Sequence, residues 1–319
     1  MKAMAQSSWA RGEPLVMREL PTPEPRPREL RVAVKAIGVN PVDWKMRQRG
    51  PLRLAARLLG PRPPVVFGVD FAGLVEAVGS EVRDVKVGDA VVGGTDFSRG
   101  QRGSQADTVI VREDQIAVLP PGFDLELAAA LPIAGVTAYR CIAEVGQLGP
   151  GQRALVLGAS GGVGQLAVQF AVDRGGSAVG VCSGKNAALV RALGAEAVID
   201  YTQGDPLTKA RELGPFQVVL DAVGHHPGAA CRRLLAPGGR HTMIANESIR
   251  GALNVLVPPF TSRSVLGRPT TTRLHAVVDA ILRGALTVRI ERRFPLAAAE
   301  QALALSQAGR MTGKIILIP

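Results

Sequence analysis

The stretch RALVLGASGGVGQLAVQFAV (residues 153–172) decides the fold. Its first residues are apolar enough for a buried strand, and apolar residues then recur at helical spacing from Val163 onward. Between the two patterns, Ala159, Gly161 and Gly164 fill the small-residue positions of a dinucleotide-binding fingerprint. A loop with so little side chain lets backbone N–H groups approach a pyrophosphate at the positive end of the following helix. The stretch therefore predicts a strand, a nucleotide-binding loop and a helix.

More strand patterns follow this unit. They are SAVGVC (177–182), AVID (197–200), QVVLDAVG (217–224) and RHTMIA (240–245), and helix patterns such as NAALVRALGA and PGAACRRLLAPGG separate them. Nearly continuous apolar strands that alternate with helices indicate a parallel sheet covered on both faces. The expected fold class is α/β, with a doubly wound parallel sheet over about residues 122–265.

The flanking segments have a different pattern. Alternating or β-branched runs such as LRVAVKAIGV (30–39) lie between glycine turns and predict a β-rich region over residues 1–121. Two amphipathic helices and a last strand, KIILIP (314–319), are predicted near the end, and we expect that strand to pair back into the β-rich region. The predicted domains are a discontinuous one (1–121 and 266–319) and a nucleotide-binding one (122–265).

Composition excludes several other classes of protein. A hydrophobic content of 46% favours a folded globular chain, and an aromatic content of 4% disfavours base-stacking recognition of nucleic acid. We interpret the net charge of +11 mainly as an arginine-rich surface, part of which attracts an anionic cofactor. The three separated cysteines, the missing signal-peptide pattern and the missing membrane-length apolar run predict a cytoplasmic protein with no membrane partner.

The end of the second strand of the nucleotide-binding domain indicates which nucleotide is bound. NAD-binding proteins usually carry an acidic residue there that bonds the ribose 2′-OH. This chain instead has Ser183 and Lys185. A hydroxyl and a positive charge suit a 2′-phosphate, which a carboxylate would repel. We predict NADPH, and the alternative interpretation of this segment is an ordinary polar loop.

No metal site is expected. The histidine pair His225-His226 has no cysteine or carboxylate at ligand spacing, and adjacent histidines of this kind are more often solvent-facing loop residues.

Four sequence blocks resemble the zinc-independent, quinone-oxidoreductase branch of the medium-chain dehydrogenase/reductase superfamily, the zeta-crystallin-like enzymes. The blocks are GVNPVDWK (38–45), FGVDFAGLVEAVGSEV (67–82) with KVGD (86–89), ALPIAGVTAYRCI (130–142) and LVLGASGGVGQLAVQFA (155–171), and GRMTGKIIL (309–317) resembles the closing strand. The resemblance spans nearly the whole chain. It implies a GroES-like catalytic domain beside a Rossmann domain, an active site in the cleft, NADPH as cofactor and a homodimer.

The resemblance also implies roles for residues that contact the cofactor. Ser183, Lys185 and Tyr201 would lie near the 2′-phosphate, with Asn186 where related enzymes often have lysine; Gly161, Gly162 and Val163 would face the pyrophosphate; Thr137, Val223 and Gly224 would border the nicotinamide, and Lys314 would approach it from the tail.

Zinc-dependent relatives carry a cysteine near the position of Asn40, a His-Glu pair at Val69-Asp70 and a four-cysteine lobe, and this chain has none of these. The resemblance therefore implies an enzyme without zinc, in which Val69 and Asp70 are wall and support of the substrate cleft. Without a Lewis acid, oxidation of an unactivated alcohol loses the group that stabilises the alkoxide. Reduction of a substrate that is already polarised is less demanding.

Candidate hydrogen-bond donors to such a substrate cluster in the Asn40–Lys45 turn. Asn40 offers amide hydrogens, Lys45 offers a cationic donor, and Asp43 suits an orienting acceptor. Tyr139 is a further candidate. The alternative is a purely structural turn, because Asn-Pro favours turn initiation and Asp often caps its own backbone.

We expect an NADPH-dependent oxidoreductase that transfers hydride to a quinone or an α,β-unsaturated carbonyl. The alternatives are an enoyl reductase dedicated to one biosynthetic route, and an NADPH-binding, crystallin-like or RNA-associated protein with little turnover. The inserted segment at residues 49–64 is predicted to be a short surface helix or, alternatively, a lid over the substrate.

Overall fold

The structure is a computed structural model that describes residues 1–48, 50–244, 261–309 and 311–319. The chain forms two compact units. The first unit comprises Met1–Ile133, Arg268–Asp279 and Val288–Pro319, and the second unit comprises Ala134–Gly267 and Ala280–Thr287. Compared with the expected domains, the first boundary falls after Ile133 and residues 280–287 join the second unit.

The strands are, in chain order, β1 (Lys2–Gln6), β2 (Val16–Glu19), β3 (Glu29–Val39), β4 (Val65–Val66), β5 (Asp70–Val78), β6 (Ala90–Gly94), β7 (Thr108–Arg112), β8 (Ile116–Val118), β9 (Arg153–Leu157), β10 (Ser177–Cys182), β11 (Ala197–Asp200), β12 (Phe216–Asp221), β13 (Leu235–Ile244), β14 (Ser262–Val265), β15 (Ile290–Pro295) and β16 (Lys314–Ile318). The described helices are α1 (Pro41–Lys45), α2 (Pro51–Leu59), α3 (Leu125–Ala129), α4 (Pro132–Tyr139), α5 (Gly162–Asp173), α6 (Ala187–Ala192), α7 (Pro206–Leu213), α8 (Gly228–Arg232), α9 (Thr271–Leu282) and α10 (Ala299–Gln307).

The first unit is built on a seven-stranded sheet in the order β15-β16-β3-β5-β6-β8, with β7 paired to β3, and on a three-stranded sheet in the order β2-β1-β4. Alternate residues of β3 (Leu30, Val32 and Val34) are buried, as expected for a strand with one face on the core. The last strand, β16, pairs antiparallel with β3. The prediction that the C-terminal strand returns to the β-rich region is confirmed.

The second unit contains six parallel strands in the order β11-β10-β9-β12-β13-β14. Residues Ala154–Leu157 of the central strand β9 are all buried, because strands in such a sheet are covered on both faces. The predicted doubly wound parallel sheet is confirmed. The strand order reverses between β9 and β12, and ligands bind at the carboxyl ends of the strands at such a switch point.

One predicted helix is shorter in the structure, and the inserted segment matches one of its two predicted forms. PGAACRRLLAPGG is helical only over α8, because Leu235 already begins β13, whose backbone accommodates Gly238 at φ +73°. In the inserted segment, Pro51–Leu59 forms a surface helix, as one of the two alternatives predicted. Ala245 of the predicted RHTMIA strand and Arg49 lie outside the described residues. None of the described helices combines the length and the apolar character that crossing a membrane requires.

Candidate active site

The NPVDWK turn of the first unit is a short helix whose start is fixed by its own side chains. Asn40 is the residue before α1, and Pro41 occupies the first helical position, where its missing N–H costs nothing. The Oδ2 atom of Asp43 accepts the backbone N–H of Asn40 at 2.8 Å. In return, the backbone N–H of Asp43 donates to the carbonyl oxygen of Asn40 at 3.0 Å, and the two bonds hold the turn that carries three of the predicted catalytic residues, Asn40, Asp43 and Lys45.

The turn joins a buried polar cluster, which comprises Asn40, Asp43, Asp70 and Lys314. The ammonium of Lys314 donates to Asn40 Oδ1 at 2.5 Å and lies 3.6 Å from Asp70 Oδ2. The amide of Asn40 donates to the same Asp70 Oδ2 at 2.8 Å. The other Asp70 oxygen accepts the backbone N–H of Ile133 at 3.0 Å. All four side chains are buried, and Asp43 Oδ1 has no hydrogen-bond partner among the described residues.

Burial shifts the protonation of this polar cluster strongly. Desolvation, and then the charge of Asp70, raise the pKa of Asp43 to about 8. Desolvation raises the pKa of Asp70 to about 6, against the opposing effect of Lys314 and of the Asn40 hydrogen bond. Desolvation also lowers the pKa of Lys314, while Asp70 and Asp43 raise it. Burial therefore favours a neutral, protonated Asp43 beside the contact between Asp70 and Lys314.

The amide of Asn40 already has acceptors for both its hydrogens. One goes to Asp70, and the other goes to the carbonyl oxygen of Gly38 at 3.3 Å. Donation to a substrate oxygen would require one of these bonds to be exchanged, and the Gly38 bond is the longer of the two. The assignment of Asn40 as a catalytic donor stays a prediction.

The other two catalytic candidates are half-buried. Lys45 ends α1, with its Nζ 5.6 Å from the centre of the Trp44 ring. Tyr139 lies in the second unit, where its ring packs against Phe170 at a centroid distance of 5.7 Å. The roles of both residues stay predictions.

In the second unit, the glycine loop follows β9 and leads into α5. Gly158 adopts φ +83°, and a Cβ atom at Gly164 would overlap the carbonyl oxygen of Gly158, so the helix and the strand approach as closely as glycine allows. Gly161 precedes α5 and offers no side chain to cap the first-turn N–H groups. These N–H groups of Gly162 and Val163 lie at the positive end of the helix, where an anionic phosphate binds.

The predicted 2′-phosphate residues lie at one edge of the same sheet. Cys182 and Asp200 are paired across β10 and β11, so Ser183 and Tyr201 follow them side by side at the carboxyl ends of the two strands. Lys185 is exposed. The amide of Asn186 donates to the Ser160 hydroxyl at 3.1 Å, which ties this edge to the glycine loop.

The other side of the glycine loop contacts the residues after β12. The side chain of Val223 leaves no room for a Cβ at Gly158, so the two segments touch. Asp221 Oδ1 accepts the backbone N–H groups of Val223 at 3.0 Å and Gly224 at 2.8 Å, which holds this turn in place. The second unit therefore gathers the glycine loop, the Ser183–Asn186 segment and Val223-Gly224 around the switch point of its sheet.

The last two predicted cofactor residues, Thr137 and Lys314, belong to different units. Thr137 of α4 is buried in the second unit. Lys314 belongs to the polar cluster of the first unit, where its ammonium is bonded to Asn40 and to the carbonyl oxygen of Val39 at 3.2 Å. Its predicted approach to the nicotinamide stays a prediction.

Comparison with known proteins agrees with this geometry. Residues 26–121 match the family model described as alcohol dehydrogenase GroES-like domain, and residues 193–317 match the one described as zinc-binding dehydrogenase. A quinone oxidoreductase of Pseudomonas aeruginosa is 32% identical, over 100% of this chain and 99% of that protein. A chloroplast envelope quinone oxidoreductase homolog of Arabidopsis thaliana is 32% identical, over 94% of this chain and 93% of that protein. The solved structure of the quinone oxidoreductase from Coxiella burnetii superposes with a TM-score of 0.90 at 28% identity, over 100% of this chain and 99% of that one.

The chain belongs to the quinone oxidoreductase branch of the medium-chain dehydrogenase/reductase superfamily. It is an enzyme, an oxidoreductase that uses a nicotinamide cofactor. The second unit fits such a cofactor, because the glycine loop leaves space and free helix-end N–H groups for a pyrophosphate. Gly161, Gly162 and Val163 would hold that group, and the cofactor would supply hydride.

The residues present do not fit zinc. Among the residues that the structure describes, no three His, Cys, Asp or Glu side chains are placed to hold a metal ion. At the positions where zinc-dependent relatives have ligands, this oxidoreductase has Asn40 and Asp70 bonded to each other and to a lysine ammonium. A lysine ammonium supplies no lone pair to a metal and repels a divalent cation.

Three residues of these sites were missed or only partly recognised from the sequence. Ser160, inside the glycine loop, holds Asn186, and Asp221 holds the Val223-Gly224 turn. Asp70 was interpreted as a support, but its bonds to Asn40 and Lys314 were not foreseen. Asp221 carried a local signal, since an Asp two or three residues before Gly often caps the turn that follows.

Replacing Asp43 by Asn should reduce the pH dependence of stability. The pKa of Asp43 in the folded protein is about 8, far above the value of about 3.9 expected for an unfolded chain. The folded state therefore binds the proton more tightly, and the free energy of unfolding falls as the pH rises from about 4 to about 8. One such group contributes at most about 1.4 kcal/mol per pH unit. Asp43→Asn keeps an acceptor oxygen for the Asn40 N–H and removes this slope, which urea unfolding at several pH values measures.

Asp279→Asn, at an exposed position of α9, is the matched control and should leave the slope unchanged. Parallel pH profiles for the parent protein and Asp43→Asn would show that Asp43 does not hold a proton in the folded state.

Proposed function

We propose that this oxidoreductase transfers hydride from NADPH to a quinone or an α,β-unsaturated carbonyl, and that it does so without zinc. The observation that carries the proposal is the Lys314 ammonium, bonded to Asn40 at 2.5 Å and 3.6 Å from Asp70 in the buried polar cluster. Zinc chemistry needs neutral or anionic ligands at these positions. An enzyme without that Lewis acid suits substrates whose acceptor carbon is already electrophilic.

The preference for NADPH is supported by the residues at the carboxyl end of β10. Ser183 and Lys185 follow Cys182, where NAD-specific proteins place a carboxylate. At the end of the neighbouring strand β11, Asp200 accepts the backbone N–H of Thr202 at 2.9 Å and its hydroxyl at 2.7 Å through Oδ1, while its Oδ2 lies against Gly184. An exposed lysine ammonium at this edge favours a 2′-phosphate through a charge-assisted hydrogen bond.

We assign the donor role toward the substrate to Lys45 and a positioning role to the polar cluster. When bound, the nicotinamide supplies hydride, which leaves negative charge on the substrate oxygen. Lys45 would donate to that oxygen, since a cationic donor stabilises a developing oxyanion more than a neutral one. Asn40 and Asp43 hold the start of the helix that ends at Lys45. A proton from water completes the reduction.

The relatives support the substrate class. The full-length similar proteins of Pseudomonas aeruginosa and Coxiella burnetii bear the name quinone oxidoreductase. A quinone and an enone share the feature that matters here, a conjugated acceptor whose oxygen takes the negative charge. The homodimer and the cytoplasmic location stay predictions.

The zinc-free reaction is tested with purified enzyme treated with a strong chelator and then assayed. We expect unchanged oxidation of NADPH by 1,4-benzoquinones and 2-alkenals, and a zinc content below about 0.1 per chain. With NADP⁺, oxidation of simple alcohols should be at least about 1,000-fold slower, because no Lewis acid stabilises the alkoxide. Loss of activity on chelation that added zinc restores would contradict the zinc-free proposal, and no turnover of either acceptor class would contradict the substrate class.

Lys45→Met should lower kcat about 100-fold, the usual cost of removing one donor to an oxyanion. The KM for NADPH should not change, since the residue acts on the substrate. Lys45→Arg should recover part of the activity because it restores a cationic donor. Lys35→Met, at an exposed position of β3, is the matched control for loss of one positive charge. Equal kcat values for Lys45→Met and the parent enzyme would show that Lys45 is not a donor to the substrate.

Lys185→Ala should raise the KM for NADPH about 10-fold and leave the KM for NADH unchanged. Only NADPH carries the 2′-phosphate that the lysine ammonium would bind. Arg211→Ala, which removes an exposed charge from α7 in the same unit, should affect neither. Equal increases in the KM for NADPH and for NADH would show that Lys185 does not bind the 2′-phosphate.

A further inference from the structure

Helix α2 exposes three leucine side chains to solvent. Leu54 is 58% exposed, Leu58 is 73% exposed and Leu59 is 57% exposed. Ala56, on the side opposite Leu54 and Leu58, is buried, and Leu59 is the last residue of the helix. An amphipathic helix normally turns its apolar face to the core. Here α2 packs on the first unit through a small residue, Ala56, and the side chains of three leucines remain exposed to solvent.

Hydrogen bonds and aromatic contacts hold the buried side of α2 against the first unit. The indole N–H of Trp9 donates to the carbonyl oxygen of Pro61 at 3.3 Å, and the Arg53 guanidinium donates to the carbonyl oxygen of Trp9. Below them, the Trp9 ring meets the Phe67 ring edge-on at 5.8 Å, and Phe67 stacks on Phe97 at 6.1 Å. These contacts fix the side of α2 that carries Ala56 and leave Leu54 and Leu58 facing outward.

The surroundings of the three leucines are basic. Residues 44–69 contain six Lys or Arg residues and no Asp or Glu, and Arg57 and Arg62 are exposed. The carboxylates of the adjacent Phe97–Arg99 region are neutralised: Asp114 pairs with Arg99 at 3.0 Å, and Asp96 pairs with Arg268 at 2.9 Å. The whole chain carries a net charge of +11. Whatever covers the leucines must therefore accept apolar side chains and offer negative charge.

We propose that the leucine face, defined as Leu54, Leu58 and Leu59 with Arg57 and Arg62, docks this oxidoreductase on an anionic lipid surface. Leucines would enter the boundary between headgroups and acyl chains, and the arginines would pair with anionic headgroups. A second copy of the chain fits less well, because a two-fold contact would bring each basic edge against itself. Nucleic acid would satisfy the arginines and leave the leucines uncovered.

Docking of this kind is shallow and reversible. Nine helical residues span about 13 Å, and three leucines anchor far more weakly than a membrane-spanning segment. The sequence predicted no membrane partner because it contains no membrane-length apolar run, and surface docking needs none. The proposal does not depend on which acceptor the enzyme reduces.

The test is co-sedimentation of the full-length protein with vesicles of neutral phosphatidylcholine, alone or with about 30 mol% phosphatidylglycerol. We expect binding to the anionic vesicles, at least about 10-fold weaker binding to neutral ones, and reversal by about 0.5 M salt. The double substitution Leu54→Gln/Leu58→Gln should weaken anionic binding at least about 10-fold. Leu282→Gln, at a leucine that is 54% exposed on α9, is the matched control and should bind like the parent. Turnover and circular dichroism confirm that each variant is folded.

Arg57→Glu/Arg62→Glu, which reverses two charges on the same face, should also abolish binding to anionic vesicles. If both double variants still bind anionic vesicles, the binding comes from the overall positive charge of the chain and not from the leucine face. That result would overturn the proposal. Absence of vesicle binding would overturn it as well. So would an oligomer in light scattering that the leucine substitutions dissociate while vesicle binding is unaffected, because a second copy would then be the occupant.

Discussion

The contact between the Lys314 ammonium, the Asn40 amide and the Asp70 carboxylate joins three parts of the first unit that are far apart in sequence. Lys314 opens the last strand, Asn40 follows β3, and Asp70 opens β5. Strand pairing already brings β16 and β5 to the two sides of β3. Removing one partner of such a buried pair typically costs about 3–5 kcal/mol, because the remaining charge stays desolvated. The turn that carries Lys45 begins at Asn40, so its position depends on this contact.

The second unit depends on a different feature, which is the absence of side chains at the glycine positions around the start of α5. The first turn of α5 presents N–H groups that no side chain caps. An uncapped helix start costs about 1 kcal/mol, which bound phosphate would recover. Gly164 lets α5 pack directly on the end of β9, and Gly180 makes room for Val190 and Ala159. The first unit thus holds its candidate catalytic residues through polar contacts among side chains, whereas the second unit leaves the N–H groups at the start of α5 without a side-chain cap.

Much of this arrangement could be predicted from local pattern. The strands β9, β10 and β11 occupy nearly the predicted residues, because buried parallel strands are short apolar runs between clear breaks. The glycine loop could be predicted for the same reason. The end of α8 could not, since the run from Cys231 to Leu235 suits either helix or strand and the pairing of β13 with β12 decides it.

The polar cluster lay beyond local pattern for a physical reason. Asn40, Asp70 and Lys314 were each recognised in a separate block, but their contacts span up to 274 residues of chain. The amide chemistry of the turn predicts Asn40 as a donor to substrate, and the resemblance implies Lys314 as a neighbour of the nicotinamide. In the structure the two side chains are bonded to each other, so each limits what the other can do. Side-chain contacts at such separation follow from strand register, which sequence spacing does not encode.

The protonation of Asp43 explains how the first unit tolerates this cluster. Two carboxylates and one ammonium in a buried site would leave one unpaired negative charge, which a low-dielectric interior penalises heavily. A pKa of about 8 keeps Asp43 mostly neutral at neutral pH, so the site avoids a second buried negative charge beside the Asp70–Lys314 contact. In a zinc enzyme, the metal would supply the positive charge at such a site. Here Lys314 supplies it from within the chain, and in the proposed reaction the chemistry falls to a cationic donor at Lys45 and to a substrate that is already polarised.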